Sequence, residues 1–166
     1  GIGGDAFCII CTDGKLYGLN ASGRAPKALS IERLKKEGYD EIPKSGWVPV
    51  TVPGVPAAWK ELCERFGKLP LKDVLRPAAE YARNGYPVSP TVSLAWEESC
   101  SRFEKELSGE IKESWFNTFA PRGRAPQAGE TVSLLDHAET LELIGETSSE
   151  AFYRGEIARK IADFAR

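Results

Sequence analysis

No methionine occurs in this sequence, only one histidine does, and basic residues do not outnumber acidic ones. A translated chain opens on Met. This one opens on Gly1 and runs straight into an apolar stretch, so it is expected to be a piece of a longer parent. A Ser-His-Asp arrangement would have to use His137, and nothing near it in sequence is set to orient the ring, so a surface or interface histidine is the better reading. The 22 Lys and Arg against 24 Asp and Glu give a formal charge of −2, with cations scattered among acids. That leaves no basic field for a polyphosphate backbone and disfavours nucleic acid as a partner. No apolar run approaches the roughly 20 residues that span a bilayer, and no charged-then-apolar leader opens the chain.

Cysteine is also sparse: Cys8, Cys11, Cys63 and Cys100 make one C-x-x-C and two isolated thiols. A zinc site would need a second close pair of ligands, which is missing, so no metal site is expected. Cys8 to Cys11 read as a strand, where residues three apart point to opposite faces. Buried free thiols are the expectation, with a lean toward a reducing, cytoplasmic setting. Neither a Walker loop, G-x-S-x-G, H-E-x-x-H nor a kinase signature occurs. Gly1-Ile2-Gly3-Gly4-Asp5-Ala6 formally matches G-x-G-x-x-A, but a strand follows it where a dinucleotide site needs a helix. Those glycines read as a tight turn feeding the strand.

What is present is ordinary globular composition, 42% hydrophobic and 28% charged. Two β-rich runs, Phe7 to Thr12 and Leu16 to Asn20, flank Asp13-Gly14-Lys15, a strong hairpin signal. Prolines 26, 43, 49, 53 and 56 then break the chain, leaving a short helical candidate at 30–37 and an extended run at 47–55. From Pro56 the period turns helical: Trp59, Leu62, Cys63 and Phe66 share a face, and Gly67 closes the helix. A second helical region runs from Leu71 to Asn84, interrupted or restarted at Pro77, and a third starts near Pro90 with its end unfixed before Ser108. After a Gly- and Pro-rich loop from Ala120 to Gly129, Leu134, Ala138, Leu141 and Ile144 share a face before Gly145, and Ile157, Ile161 and Phe164 mark a final helix. Trp59, Phe66, Tyr81, Trp96, Phe152 and Phe164 are expected in the core, whereas Trp47 and Trp115-Phe116 suit a lid or an interface. Arg154 and Glu156 can be read as an acid and base pair; capping and pairing at the start of the last helix fits them better.

One loop offers ligand chemistry. Asn20-Ala21-Ser22-Gly23-Arg24-Ala25-Pro26 follows the second strand directly. There Arg24 can present a planar fork of donors to a carboxylate, Asn20 and Ser22 can add hydrogen bonds, and Gly23 lets the backbone come close. The alternative is a solvated loop arginine. Gly-Arg-Ala-Pro recurs at 123–126, where it reads as loop chemistry.

Several segments together resemble the γ-glutamyltransferase (γ-glutamyltranspeptidase) family: Gly1-Ile2-Gly3-Gly4, Ser22-Gly23-Arg24-Ala25-Pro26, Thr51-Val52-Pro53-Gly54-Val55-Pro56-Ala57, Phe66-Gly67-Lys68-Leu69-Pro70, Arg76-Pro77-Ala78, Gly85-Tyr86-Pro87-Val88-Ser89 and Ala151-Phe152-Tyr153-Arg154-Gly155-Glu156-Ile157-Ala158. They occur in the family's order along nearly the whole chain. The resemblance implies an α+β N-terminal-nucleophile hydrolase, an αββα sandwich, of which residues 1–166 supply a β-hairpin and a mainly helical part of the large-subunit region. It implies a precursor that cleaves itself, so that an N-terminal threonine of the downstream small subunit attacks a γ-glutamyl amide of a compound such as glutathione. The threonine's own α-amine acts as base, and neither metal nor organic cofactor is needed. The nucleophile is expected downstream, so no catalytic residue is assigned here.

The same resemblance places a carboxylate-binding arginine in the loop after the hairpin, in the order Arg-x-x-Ala-Pro. Here Ser22 takes that arginine's place and Arg24 is displaced by two positions. Along an extended chain that is roughly 6.5 Å, more than a bidentate contact tolerates. Arg24 and Ser22 are therefore the candidate substrate-binding residues. The substrate is a γ-glutamyl compound if Arg24 reaches the site by another backbone path; otherwise it is another amide, such as a cephalosporin side chain or a small amidic acid, or the parent is an inactive structural relative.

Overall fold

The computed structural model describes residues 1–44 and 46–165. Its first element is the expected hairpin: β1 (Ala6–Thr12) pairs antiparallel with β2 (Lys15–Ala21), in a register running from Thr12 opposite Lys15 to Ala6 opposite Ala21. Asp13 and Gly14 carry φ of 51° and 70°, the left-handed pair that a two-residue turn needs to match the strand twist. Alternation splits the hairpin into two faces. Ala6, Cys8, Ile10, Tyr17 and Leu19 lie on the half-buried face, and Phe7, Ile9 and Leu16 stand 69–77% exposed on the other.

The chain forms two units, Gly1–Val74 with everything from Leu143 onward, and Leu75–Glu142. The first unit holds the hairpin, α1 (Ile31–Lys36), α2 (Val55–Phe66), the start of α3 (Leu71–Asn84), the end of α6 (Leu135–Glu146), α7 (Glu150–Arg154) and α8 (Glu156–Phe164). Ser30 caps α1, its Oγ accepting from Arg33 N–H at 3.1 Å. Tyr17 of β2 meets Phe66 of α2 edge to face at 5.1 Å, which holds the hairpin's half-buried face to that helix. Phe152 and Ile144 are buried, and Trp47 rests edge-on against Phe164 at 5.8 Å.

The second unit holds the rest of α3, α4 (Pro90–Glu106), α5 (Gly109–Phe119), most of α6, and a two-residue bridge between β3 (Tyr86–Pro87) and β4 (Thr131–Val132). Its buried residues are aliphatic, Leu75, Ala79, Ala82, Val88, Ala138 and Leu141 among them, and a half-buried aromatic cluster accompanies them: Trp115 lies 4.9 Å from Phe103 and 5.3 Å from Phe119, and Trp96 Nε1–H donates to Phe119 O at 2.9 Å.

Several expectations need correction. α3 is one helix through Pro77: Leu71, Leu75, Ala79 and Ala82 are buried while Pro77 is exposed, so packing on the opposite face carries the helix past the missing N–H. Gly145 lies inside α6 instead of ending it. A Cβ there would come 2.8 Å from the Lys72 backbone, so its role is close approach. The run from Trp47 is a turn at first, closed by Val50 N–H to Trp47 O at 3.1 Å, and not an extended segment throughout. α2 starts at Val55 with Pro56 second. Tyr81 and Phe164, expected in the core, are 65% and 50% exposed, and Trp115-Phe116 belong to the half-buried aromatic cluster of their unit. None of the four thiols is buried: Cys8 is half-buried and Cys11 exposed, on opposite strand faces, because the hairpin is covered on one side only.

Candidate functional site

The loop after β2 turns against the segment before α2, and two hydrogen bonds join them. Val52 N–H donates to Arg24 O at 2.9 Å, and Thr51 Oγ1 donates to Ser22 O at 3.3 Å. Asn20 steadies the near side, its Oδ1 accepting from Ser22 N–H at 2.9 Å. Gly23 adopts φ +74° between these contacts, and a Cβ on it would fall 2.0 Å from Val52 O. Glycine is needed there for conformation and for space. Gly54 is equally confined, a Cβ lying 2.1 Å from Ala21 O.

The N-terminus of α2 closes the other side. Helix starts leave unpaired N–H groups, and Gly54 at the N-cap has no side chain with which to take one. Gly4 O accepts from both Gly54 N–H (3.1 Å) and Val55 N–H (3.2 Å), Pro56 has no N–H, and Ala57 N–H donates to the Tyr153 hydroxyl at 3.0 Å. Tyr153 Oη in turn donates to Pro53 O at 2.6 Å. Burial pushes the Tyr153 phenol above its ordinary value, against the opposing pull of the Ala57 N–H. Ser149, buried, donates from Oγ to Pro56 O at 2.8 Å. With its first donors occupied, α2 is not available as an anion-binding helix end.

These segments enclose a solvent-open cavity of about 760 Å³ beside Asn20 to Arg24, Val52 to Gly54, Ala57, Glu61 and Tyr153. Arg24 and Glu61 are its charged residues. Glu61 faces Arg65 at 3.5 Å, one turn along α2. Arg24 is exposed, and its guanidinium has no hydrogen bond or ion pair among the described residues; the same holds for the Ser22 hydroxyl.

The second Gly-Arg-Ala-Pro is a sharp contrast. Gly123 has the same left-handed φ, 72°, yet Arg124 is fully engaged: Nη2 donates to Glu130 Oε1 at 2.7 Å and Nη1 to Glu130 Oε2 at 3.0 Å. Arg122 adds a contact at 3.4 Å and Gln127 N–H another at 2.9 Å. Arg124, then the Gln127 N–H, hold the Glu130 carboxyl down at about 2. A lowered folded value makes this contribution complete above the ordinary 4.5 and lost as pH falls through about 2. Side-chain carboxyl NMR is expected to place the Glu130 midpoint near pH 2, and Arg124→Ala to move it upward; a midpoint near 4.5 in the unaltered protein would refute the pairing.

The remaining sequence candidates separate. Arg154 pairs with Glu150 at 2.8 Å and Glu156 with Lys160 at 2.8 Å, so they are helix-surface pairs. The Lys160 contact, first as a hydrogen bond and then as charge, lowers the Glu156 carboxyl. His137 is half-buried, edge-on to Phe119 at 6.0 Å. Among the described residues no group of three His, Cys, Asp or Glu could hold a metal ion, and no helix is long and apolar enough to cross a membrane. Sequence reasoning overlooked the contacts that Gly4 and Tyr153 make beside the cavity. Both lie in stretches that resemble the family, but their partners are about 50 and 100 residues away.

The model of the family described as gamma-glutamyltranspeptidase matches residues 1–166. The chain belongs to that family. The glutathione hydrolase-like YwrD proenzyme of Bacillus subtilis (strain 168) is 36% identical over 97% of this chain and 30% of its own length. The crystal structure of cephalosporin acylase from Bacillus halodurans superposes with a TM-score of 0.95 at 50% identity, covering 99% of this chain and 31% of that one. The γ-glutamyltranspeptidase of Helicobacter pylori superposes with a TM-score of 0.83 at 28% identity, over 98% of this chain and 46% of that one. The chain thus carries an α+β part of the N-terminal-nucleophile hydrolase fold and spans under a third of the length of the first two relatives.

Proposed function

We propose that the parent of this γ-glutamyltranspeptidase-family chain is a self-processing enzyme that cleaves or transfers a γ-glutamyl amide, such as that of glutathione. Residues 1–166 are then part of its large-subunit region, and Arg24, with Ser22 beside it, binds the donor's α-carboxylate. The observation that carries this reading is the guanidinium of Arg24, without a partner among the described residues, on the wall of a 760 Å³ cavity. Arg124, in the same tetrapeptide, is consumed by Glu130.

In this reading a threonine at the start of the second subunit supplies the nucleophile. Its hydroxyl oxygen bonds to the amide carbon, its α-amine takes the hydroxyl proton and passes it to the leaving amine, and water or an acceptor amine then releases the acyl group. That chemistry calls for no metal or organic cofactor. The second subunit covers the bare hairpin face, where Phe7, Ile9 and Leu16 are 69–77% exposed.

A second reading has its own support. Ser22 stands where the family pattern has arginine, and the 50% identical structure is a cephalosporin acylase. Under it the parent cleaves an amide whose acyl group has no α-carboxylate. Denaturing mass analysis of the full-length parent, with p-nitroaniline release from its γ-glutamyl and 4-aminobutyryl derivatives, separates the two. Two chains and a preference for the γ-glutamyl donor are expected. Cleavage with preference for the donor lacking the carboxylate would establish the acylase reading, and an intact chain without turnover would overturn both.

A further inference from the structure

Carboxylate binding by Arg24 leaves unexplained why a tyrosine hydroxyl is held between Pro53 O and Ala57 N–H, 100 and 96 positions away in sequence. Those two groups are four residues apart, the separation at which an α-helix closes its own hydrogen bond. Tyr153 Oη accepts from one and donates to the other, so it replaces the bond that would otherwise wind Pro53 into α2. Only a group that both donates and accepts can do this, and Gly54 offers no side chain for the task.

We propose that Tyr153 is a positioning residue of the acyl-donor pocket, holding Val52 to Gly54 unwound so that Val52 N–H fixes the backbone of Arg24. The proposal rests on the assignment of Arg24 as carboxylate anchor. The connections are short. Tyr153 Oη holds Pro53 O at 2.6 Å, and the adjacent Val52 N–H holds Arg24 O at 2.9 Å. Tyr153 itself lines the cavity. Without the hydroxyl, Pro53 O is free to accept directly from Ala57 N–H. α2 then gains a residue at its start, and Val52 is drawn off Arg24. Ser149 provides a contrast: its Oγ tethers the same end of α2 through Pro56 O, yet it does not line the cavity.

The test uses the full-length processed parent and γ-glutamyl p-nitroanilide. Tyr153→Phe is expected to raise KM about tenfold with kcat nearly unchanged, since a misplaced anchor weakens binding without touching the nucleophile. In Arg24→Ala the same change adds almost nothing, because both act through one guanidinium. Ser149→Ala lowers the unfolding temperature but leaves KM alone, which separates positioning from general destabilisation. Three outcomes would overturn the proposal: Tyr153→Phe leaving KM unchanged while Arg24→Ala raises it, the two effects multiplying independently, or Ser149→Ala raising KM as much as Tyr153→Phe. If Arg24→Ala itself leaves KM unchanged, the anchor assignment fails, and this proposal fails with it.

Discussion

Arg24→Ala in the full-length parent is expected to raise the KM of γ-glutamyl p-nitroanilide by about ten- to a hundredfold with kcat held within about threefold. A hydrogen bond to a charged group contributes about 1.5–3 kcal/mol, and each ~1.4 kcal/mol is a factor of ten in affinity. The exposure of Arg24 to solvent keeps the effect toward the lower end. The 4-aminobutyryl donor, which keeps the amine and drops the α-carboxylate, should show no change, because nothing on it engages a guanidinium. Equal losses for both donors would mean that Arg24 shapes the loop rather than reading the carboxylate. The Arg124 loop sharpens the argument: in Arg124→Ala the loss falls on the Glu130 contact, and the same donor kinetics are expected to stay as they are.

Gly23→Ala should be the most damaging single-methyl change at the site. A non-glycine residue in the left-handed region costs about 1–2 kcal/mol, and here the added Cβ would also lie 2.0 Å from Val52 O, so the paired segments must separate. Together these place the change near the exceptional end of single mutations, about 4 kcal/mol. For a domain of this size that corresponds to a fall in Tm of roughly 8–16 °C. Gly14→Ala serves as comparison: its φ is +70° but the space around it is open, so only the conformational cost applies. Thermal unfolding of the two variants checks this, and equal shifts would show that the close approach of Val52 does not matter.

Patterning along the sequence was sufficient for the hairpin, for α2, for the extent of α3 and for the buried face of α6, because each follows from alternation, helical spacing or a turn residue within a few positions; the α8 face expected in the core is instead exposed at Ile161 and Phe164. Asp13-Gly14 is the clearest case, since the positive φ values sit on the residues that tolerate them. Where local signals misled, a distant contact outweighed them. Pro77 is carried inside α3 by burial on the opposite face, and Gly145 sits inside α6 because Lys72 approaches it. The bridge between β3 and β4 was likewise beyond reach, since it pairs Tyr86 with Val132 and Pro87 with Thr131, whereas the break between α4 and α5 is local, at Leu107 and Ser108.

The candidate site divides in the same way. Its chemistry was legible in one strand-exit loop, because the donors of Arg24 and the freedom of Gly23 are properties of the residues themselves. Two copies of Gly-Arg-Ala-Pro are indistinguishable on that basis. Folding separates them: Glu130 stands six residues from Arg124 and takes up its guanidinium, while Arg24 is held by its backbone to Val52 with its side chain left for a ligand. Local chemistry makes an arginine able to bind a carboxylate, but whether a protein carboxylate already occupies it depends on which segments the tertiary structure brings within hydrogen-bond distance.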